Sequence, residues 1–354
     1  MQNCSCIVLK IVSKLFFVYK AEKISYNRHI KFIMYVEVLL MKKLFSMIIA
    51  MMLVVAVASS ACAATFLSIA TGGTTGTYYP LGGDIANLYN TVIDGVKASA
   101  QATGGSADNL RLIDAGEAEL GTVQNDVSWF AYTGTDSFEG EQIQSFSVIS
   151  SLYAEYVQIV TRADSDINCI SDFKGKAISI GAAGSGVYTN AMHVLEAAGL
   201  TLDDIDEQYL SFAESADGLK NKQIDAAFIC AGIPNAAITE LGSTAGVKLI
   251  SLTDEEVANL IAAHPTYGNL KLPAATYGLS EDVNCVVITA LLVCSNELDE
   301  QLVYDMTKAL YEQEGILTHA KAAEITLDTA FVGVGDLPLH PGAARYYEEI
   351  GVAK

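Results

Sequence analysis

The sequence predicts an α/β fold of two lobes with a ligand cleft between them. Two similar blocks support it, since a short apolar run, a loop of Gly, Ser and Thr, and a helical pattern occur around Gly76 and again around Gly186. Each block then repeats a Ser-Ala-Asp triplet, at Ser106 and at Ser215. Two long strand-like stretches, 147–161 and 283–295, are expected to cross between the lobes. The chain therefore repeats one architectural unit around a single gap.

The first unit alternates strands and helices toward one polar edge. Its predicted elements are strand 66–70, helix 81–89, strand 97–102, helix 106–115 and strand 119–124. Ser106 is placed as the N-cap of its helix, and Gly116 ends that helix. Gln124 and Asn125 lie at the carboxyl edge of the last strand, where open α/β sheets bind ligands. We therefore expect this edge to face the cleft.

The second unit repeats that order. Its predicted elements are strand 177–180, helix 187–198, strand 207–210, helix 215–221, strand 226–230 and a helix from Asn235. Loop 231–234 takes the place that Gln124 and Asn125 hold in the first unit, so the helix from Asn235 is expected to direct a third helix N-terminus at the gap. Helical patterns at 298–315 and 341–351 are predicted to complete the first lobe.

The segment before the first strand has the features of an export signal. Lys42 and Lys43 precede an apolar run over 44–58, which ends in Ala61-Cys62-Ala63. This pattern predicts a signal peptide over 41–63, removed after Ala63, and a periplasmic or extracytoplasmic location. A lipid anchor on Cys62 is not favoured, because Ser59-Ser60-Ala61 lacks a large aliphatic residue. Residues 1–40 are predicted to be untranslated or unstructured.

The remaining chain is long enough for two lobes with separate cores. We predict lobe I over 64–160 plus 286–354 and lobe II over 161–285, with hinge crossings near 155–165 and 280–290. The whole chain has a net charge of −20, and no basic run lies beyond the signal segment. Such an acidic surface repels nucleic acid, so nucleic acid is excluded as a partner.

The Gly-rich loops of both units open helices, whose first N–H groups are unpaired and whose dipole favours negative charge. Two such helix starts around one cleft predict the binding of a small anion, and a carboxylate suits the surrounding hydroxyl groups. Arg111, Arg162 and Arg345 lie outside these loops. We therefore expect N–H groups and hydroxyls to hold the carboxylate in place of an arginine.

Metal, cofactor and catalytic sites are not predicted. Four cysteines follow the signal segment, and Cys285 and Cys294 lie in one strand-like run, too far apart along an extended chain to bond. No spacing among the cysteines and histidines resembles a metal site, and no Gly-x-Ser-x-Gly elbow is present. A two-lobed enzyme acting on a small carboxylate remains an alternative, as does a ligand-sensing receptor for a signalling partner.

Several segments together resemble the TAXI family, the solute-binding proteins of tripartite ATP-independent periplasmic (TRAP) transporters. They are Thr71-Gly72-Gly73-Thr74-Thr75-Gly76-Thr77-Tyr78-Tyr79-Pro80-Leu81-Gly82-Gly83, Val123-Gln124-Asn125-Asp126, 181–186, Ala231-Gly232-Ile233-Pro234 and 339–347. The resemblance implies a type II periplasmic binding protein fold that closes on glutamate, glutamine or a related dicarboxylate such as 2-oxoglutarate. It also implies delivery to a membrane permease driven by an ion gradient.

The resemblance further implies a set of ligand contacts. They are Thr74, Thr75, Gly76, Tyr78 and Tyr79 in the first loop, Gln124 and Asn125 at the strand edge, Ser185, Gly186 and Val187 in the second loop, and Gly232 and Pro234 in the third. Tyr153 is expected to form a wall of the site. Glu155 is either the partner of a ligand ammonium group or a member of a salt bridge between the lobes.

Overall fold

The computed structural model describes residues 35–37, 39–47, 64–313 and 315–354. The chain forms two compact units, Met1–Ala63 and Ala64–Lys354, and the fold below is that of the second. Residues 35–37 and 39–47 are helical and exposed. The predicted apolar run from 48 onward and the cleavage site at Ala63 lie outside the described residues. Within those residues, no helix combines the length and apolar character needed to span a membrane.

A single ten-stranded sheet runs through the second unit, with its main path in the order β2-β1-β3-β10-β4-β7-β5-β6. The strands are β1 (Thr65–Ala70), β2 (Val96–Gln101), β3 (Leu120–Gln124), β4 (Phe146–Arg162), β5 (Ala177–Ser179), β6 (Asp206–Gln208), β7 (Ala226–Ala231), β8 (Val247–Leu249), β9 (Gly268–Leu272) and β10 (Val283–Ser295). The helices are α1 (Tyr78–Val92), α2 (Ser106–Asp114), α3 (Asn125–Thr133), α4 (Gly186–Ala197), α5 (Phe212–Lys220), α6 (Ala236–Thr244), α7 (Asp254–Ala263), α8 (Glu300–Glu312) and α9 (Pro341–Glu349).

The two ends of the sheet repeat one arrangement. At one end β1 pairs in parallel with both β2 and β3, and at the other end β5 pairs in parallel with both β6 and β7. We call the end with β1, β2 and β3 lobe I and the end with β5, β6 and β7 lobe II. The predicted two-lobed α/β fold is confirmed, because each lobe is built from strand-helix-strand units of the same order.

Two long antiparallel strands join the lobes. β4 and β10 pair along most of their length, from Tyr156 opposite Val287 to Phe146 opposite Ser295. Almost every residue of both strands is buried, which matches the continuous apolar runs in their sequences. Tyr153 on β4 and Ala290 on β10 pack in a hydrophobic core of lobe I, whereas Val157 on β4 and Ile288 on β10 pack in a hydrophobic core of lobe II. We propose that the strands cross between the lobes at these positions.

The C-terminal helices pack in lobe I. Met306 of α8 and Tyr347 of α9 share a core with Leu67 of β1 and Leu88 of α1. His340 is the N-cap of α9, and its Nδ1 accepts a hydrogen bond of 3.2 Å from Gly342 N. Pro341 follows in the first turn of α9, where proline is favoured because the missing N–H would have no helical partner.

Two helices begin three residues before their predicted starts, α1 at Tyr78 and α5 at Phe212. The N-cap of α2 is Gly105 and not the predicted Ser106. The start of α5 is set by a capping box. Ser211 is the N-cap, since its hydroxyl accepts from Glu214 N and the Glu214 carboxylate accepts from Ser211 N at 2.9 Å. This capping box outweighs the Ser-Ala-Asp repeat, so Ser215 lies inside the helix whereas Ser106 lies at the start of α2.

Candidate ligand-binding site

A cavity of about 80 Å³ lies between the lobes, at the carboxyl edge of the sheet. Strand ends and the loops behind them surround it, with Gly72 and Gln124 from lobe I and Ala182 and Cys230 from lobe II. Because parallel strands of α/β sheets direct their carboxyl ends at ligands, this is the position expected for a binding site.

Five helices begin at this cavity. In four of them the N-cap makes no side-chain hydrogen bond to the first turn, namely Thr77 for α1, Gly105 for α2, Gln124 for α3 and Ser185 for α4, whereas Ser211 caps α5. All five N-cap residues line the cavity. Helix starts without side-chain caps present unpaired N–H groups and the positive end of the helix dipole, so the cavity favours a negative group.

The helix predicted to add a third N-terminus does not serve that role, because it caps itself. Asn235 is the N-cap of α6, and its Oδ1 accepts hydrogen bonds from Ala237 N at 3.0 Å and Ile238 N at 3.3 Å. Its Nδ2 donates to Thr75 O at 3.2 Å. Asn235 therefore joins the third loop to the first, and its helix start is not open to a ligand.

Two buried polar atoms of the cavity have no hydrogen-bond partner, the Oγ of Ser185 and the Oε1 of Gln124. The orientation of the Gln124 amide follows from its neighbours. Asp126 Oδ2 accepts from Asn190 Nδ2 at 2.9 Å, so Asn190 Oδ1 faces Gln124 and accepts from its Nε2 at 3.0 Å. Unpartnered buried polar atoms are costly, and a ligand would satisfy both.

Glu155 is the acidic residue of the cavity lining, and 2% of its surface is exposed. Tyr78 OH donates to its Oε2 at 2.6 Å, and Tyr153 OH donates to its Oε1 at 3.4 Å. Burial raises the pKa of Glu155 to about 8, against the lowering effect of the Tyr78 hydrogen bond. Among the described residues no lysine, arginine or histidine lines the cavity.

The loops of the two lobes touch beside the cavity. Asp108 N of lobe I donates to Gly184 O of lobe II at 3.1 Å. Gly186 approaches Gln124 so closely that a Cβ there would lie 2.5 Å from Gln124 Cδ and 3.0 Å from Val127 Cγ2. The cleft is therefore closed in this structure, and Gly186 is required for the approach.

A family model for the NMT1-like family matches residues 69–351. The chain belongs to the NMT1-like family. This match covers most of the chain and all of the strands and helices around the cavity apart from the first residues of β1.

Several solved structures are similar to the NMT1-like chain. SsuA from Xanthomonas axonopodis pv. citri, an alkanesulfonate-binding protein bound to MOPS, is 18% identical over 81% of this chain and 85% of that one, with a TM-score of 0.45. The periplasmic aliphatic sulphonate binding protein SsuA from Escherichia coli is 14% identical over 82% and 89%, with a TM-score of 0.40. A putative L-cystine ABC transporter from Listeria monocytogenes is 13% identical over 70% and 89%, with a TM-score of 0.44.

Nearly half of the predicted contacts line the cavity of the NMT1-like chain. They are Gly76, Tyr78, Gln124, Ser185, Gly186 and Val187. These residues come from the starts of α1 and α4 and the end of β3, the three places where the sequence repeat and the resemblance agree.

The other predicted contacts lie outside the lining. Thr74 and Pro234 are exposed, and Thr75 and Tyr79 are half-buried. Tyr153 is behind the lining, where it contacts Glu155. Asn125 is turned the other way, since its Oδ1 accepts from Thr289 N at 2.9 Å. Gly232 faces Lys321 and Thr77, and a Cβ there would lie 2.8 Å from Lys321 Cε.

Sequence reasoning did not assign several lining residues to the site, among them Thr77, Ser106, Phe212 and Cys230. Phe212 and Ser211 had a readable pattern, because the Ser-x-x-Glu capping box places the start of α5 at the cavity. Ser106 Oγ accepts from Gln124 N at 3.0 Å, a contact between distant residues that no local pattern shows.

Glu155 had two possible roles, and among the described residues it forms no salt bridge between lobes. The buried Lys321, which is the cation acting on Glu155, pairs with Glu324 at 2.6 Å.

Cys230, Cys285 and Cys294 are buried free thiols, and Cys169 is an exposed one.

Proposed function

We propose that the chain is an extracytoplasmic solute-binding receptor whose lobes close on a small carboxylate of the glutamate, glutamine or 2-oxoglutarate type. In this proposal it delivers the ligand to a TRAP membrane permease driven by an ion gradient, as its resemblance to the TAXI family implies. The observation that carries the ligand class is the convergence of four helix starts without side-chain caps on one closed cavity whose lining has no basic side chain among the described residues.

The acidic end of the ligand fits the helix starts. A carboxylate has acceptors for several N–H donors, and Ser185 Oγ supplies a hydroxyl donor at the start of α4. Charge-assisted bonds of this kind are stronger than neutral ones, and the dipoles of α1, α2 and α4 add to them. Arg111, which is paired with Glu141 at 2.7 Å, is not among the lining residues.

In this proposal an ammonium group of the ligand meets Glu155. Gln124 Oε1, which lies beside Gly186 at the start of α4, is a further acceptor in need of a donor. A ligand ammonium beside Glu155 would favour the ionised form and offset the burial that raises its pKa. This pairing supports an α-amino acid such as glutamate or glutamine over a 2-oxo acid.

The first test is the melting temperature of the chain from Ala64 to Lys354, which forms one compact unit. The protein is unfolded, refolded to remove copurified ligand, and titrated with L-glutamate, L-glutamine, 2-oxoglutarate, a neutral amino acid and an alkanesulfonate. A ligand that binds only the folded state raises the melting temperature with dose. We expect a rise with a carboxylate of the first three.

Variants then assign the two ends of the cavity. Ser185→Ala should weaken binding of every carboxylate in the panel by removing a donor. Glu155→Gln should weaken binding of the amino acids and leave that of 2-oxoglutarate nearly unchanged, because an amide does not pair with an ammonium group. Absence of any response in the panel would refute the ligand class. Equal losses for all ligands in Glu155→Gln would refute the ammonium contact alone.

A further inference from the structure

Two histidines and an aspartate meet at the interface between the lobes, away from the cavity lining. One donor atom from each of Asp136, His193 and His264 lies within 4.8 Å of the other two. Asp136 follows α3 of lobe I, His193 lies on α4, and His264 is the C-cap of α7. No contact of the proposed carboxylate site involves these side chains.

The first pair of this cluster is already aligned. His193 Nε2 lies 3.0 Å from Asp136 Oδ2, and His193 Nδ1 lies 3.1 Å from Tyr267 OH. Asp136 is one of two non-glycine residues with positive φ (52°) among the described residues. An unfavourable backbone conformation at this position directs a carboxylate at a buried imidazole. A hydrogen bond to the second ring nitrogen is the outer contact that metal-binding histidines have.

His264 completes the cluster from lobe II. Its ring stacks on that of His193, with centroids 3.5 Å apart and planes at 21°. Glu196 Oε2 lies 3.9 Å from His264 Nε2, on a side chain that is 76% exposed. Imidazole and carboxylate, two of the ligand types that suit zinc, are thus present.

Solvent reaches the cluster from two sides. Asp136 lines one surface cavity and His264 lines another, whereas His193 is 2% exposed. A tetrahedral ion about 2.1 Å from each donor places the donors about 3.4 Å apart. To bind such an ion, the His264 ring would have to rotate out of its stack on His193. His264 is the C-cap of α7, so no further helical turn packs against its side chain.

We propose that Asp136, His193 and His264 bind a divalent transition-metal ion of the Zn²⁺ type across the two lobes. Imidazole and carboxylate donors suit Zn²⁺, Co²⁺, Ni²⁺ and Cu²⁺, whereas Mg²⁺ and Ca²⁺ prefer oxygen donors alone. Because Asp136 belongs to one lobe and the histidines to the other, the bound ion favours the closed form. The proposal departs from the sequence-based prediction of no metal, since ligands on elements far apart in the chain leave no spacing pattern.

The test is titration of the ligand-free Ala64–Lys354 protein with ZnCl₂ by calorimetry after dialysis against a chelator. We expect one ion per chain and a melting temperature that rises with Zn²⁺. His264→Gln should weaken Zn²⁺ binding by at least about tenfold, and Tyr267→Phe by about tenfold through loss of the outer contact. Asp136→Asn keeps a residue that tolerates positive φ and should weaken binding while the fold is retained.

His319→Gln is the matched control, because His319 caps a short 3₁₀ turn elsewhere and should leave Zn²⁺ binding unchanged. Co²⁺ provides a second readout, since tetrahedral coordination gives an intense visible absorption that His264→Gln should abolish. The proposal fails if no saturable binding occurs, or if His264→Gln and Asp136→Asn bind Zn²⁺ as the wild type does. Neither result bears on carboxylate binding, which the panel measures separately.

Discussion

Replacement of Gly186 by alanine tests whether ligand binding depends on closure of the cleft. Gly186 is the first residue of α4, and its backbone has no positive φ, so alanine is compatible with the local conformation. In the closed form the new methyl group would overlap the amide of Gln124 and lie 3.0 Å from Val127 Cγ2. An open form of the protein would have room for it.

The size of the effect follows from these contacts. Gln124 has to leave its place, which breaks its 3.0 Å hydrogen bond to Asn190 and overpacks the loop. Loss of a buried hydrogen bond and overpacking together cost about 2 to 4 kcal/mol. Because the cost applies to the closed form alone, the Kd for the ligand should rise about 30- to 1,000-fold. The stability of the ligand-free protein should be unchanged or slightly higher.

Calorimetric titration with the carboxylate that raises the melting temperature measures the Kd. Small-angle scattering with saturating ligand measures closure of the lobes. Gly83→Ala is the control, since it is also a Gly-to-Ala change in a helix and its Cβ would meet nothing within 4 Å. A Kd of Gly186→Ala within threefold of the control would refute the reasoning, because closure around the ligand would then not require Gly186 to reach Gln124.

Three further predictions concern stability and reactivity. Since the pKa of Glu155 rises from 4.5 to about 8 on folding, ionised Glu155 costs up to about 5 kcal/mol, so the free energy of unfolding of the ligand-free protein should fall as the pH rises from about 4.5 to 8 and level off above that; denaturant titration should show this slope in the wild type and not in Glu155→Gln. One thiol of the Ala64–Lys354 protein, Cys169, should react rapidly with Ellman's reagent, and loss of that fast phase in any variant other than Cys169→Ser would contradict the assignment. Gly342→Ala should lower the free energy of unfolding by about 3 kcal/mol, because its Cβ would lie 2.7 Å from Tyr304 N and backbone atoms cannot move aside; a melting temperature equal to that of wild type would contradict the packing of α9 on α8.

The sequence predicted the fold because its local patterns agree with the global one. Phe146–Arg162 and Val283–Ser295 are long stretches rich in β-branched and aromatic residues, which favours buried strands, and both were located within a residue of their ends. The cavity was predictable where a loop opens a helix, as at Gly76 and Gly186. Strand runs and loop-to-helix transitions depend on residues close together in the sequence, which is why the sequence predicts them.

Contacts between distant residues were not predictable. Asn125 was expected to bind ligand because it lies at the carboxyl edge of a predicted strand and matches the TAXI pattern, yet the start of α3 turns its side chain to Thr289. The cluster of Asp136, His193 and His264 joins residues from three separate elements, so no spacing in the sequence indicates it. The repeat also misplaced the start of α5, because a capping box three residues earlier is stronger than similarity of sequence.

The pairing of β4 with β10 restricts how the protein moves. The two strands hydrogen-bond to each other across the boundary between the lobes, so neither lobe turns about a single flexible bond. We expect the lobes to move relative to each other by bending and twisting of this two-stranded ribbon. The register irregularities lie on the lobe I side, between Ala290 and Leu291 and between Leu292 and Val293, where such irregularities bend a strand and increase its twist. Open conformations of the lobes are then expected to span a narrow range, so closure of the cleft on a ligand should cost little chain entropy.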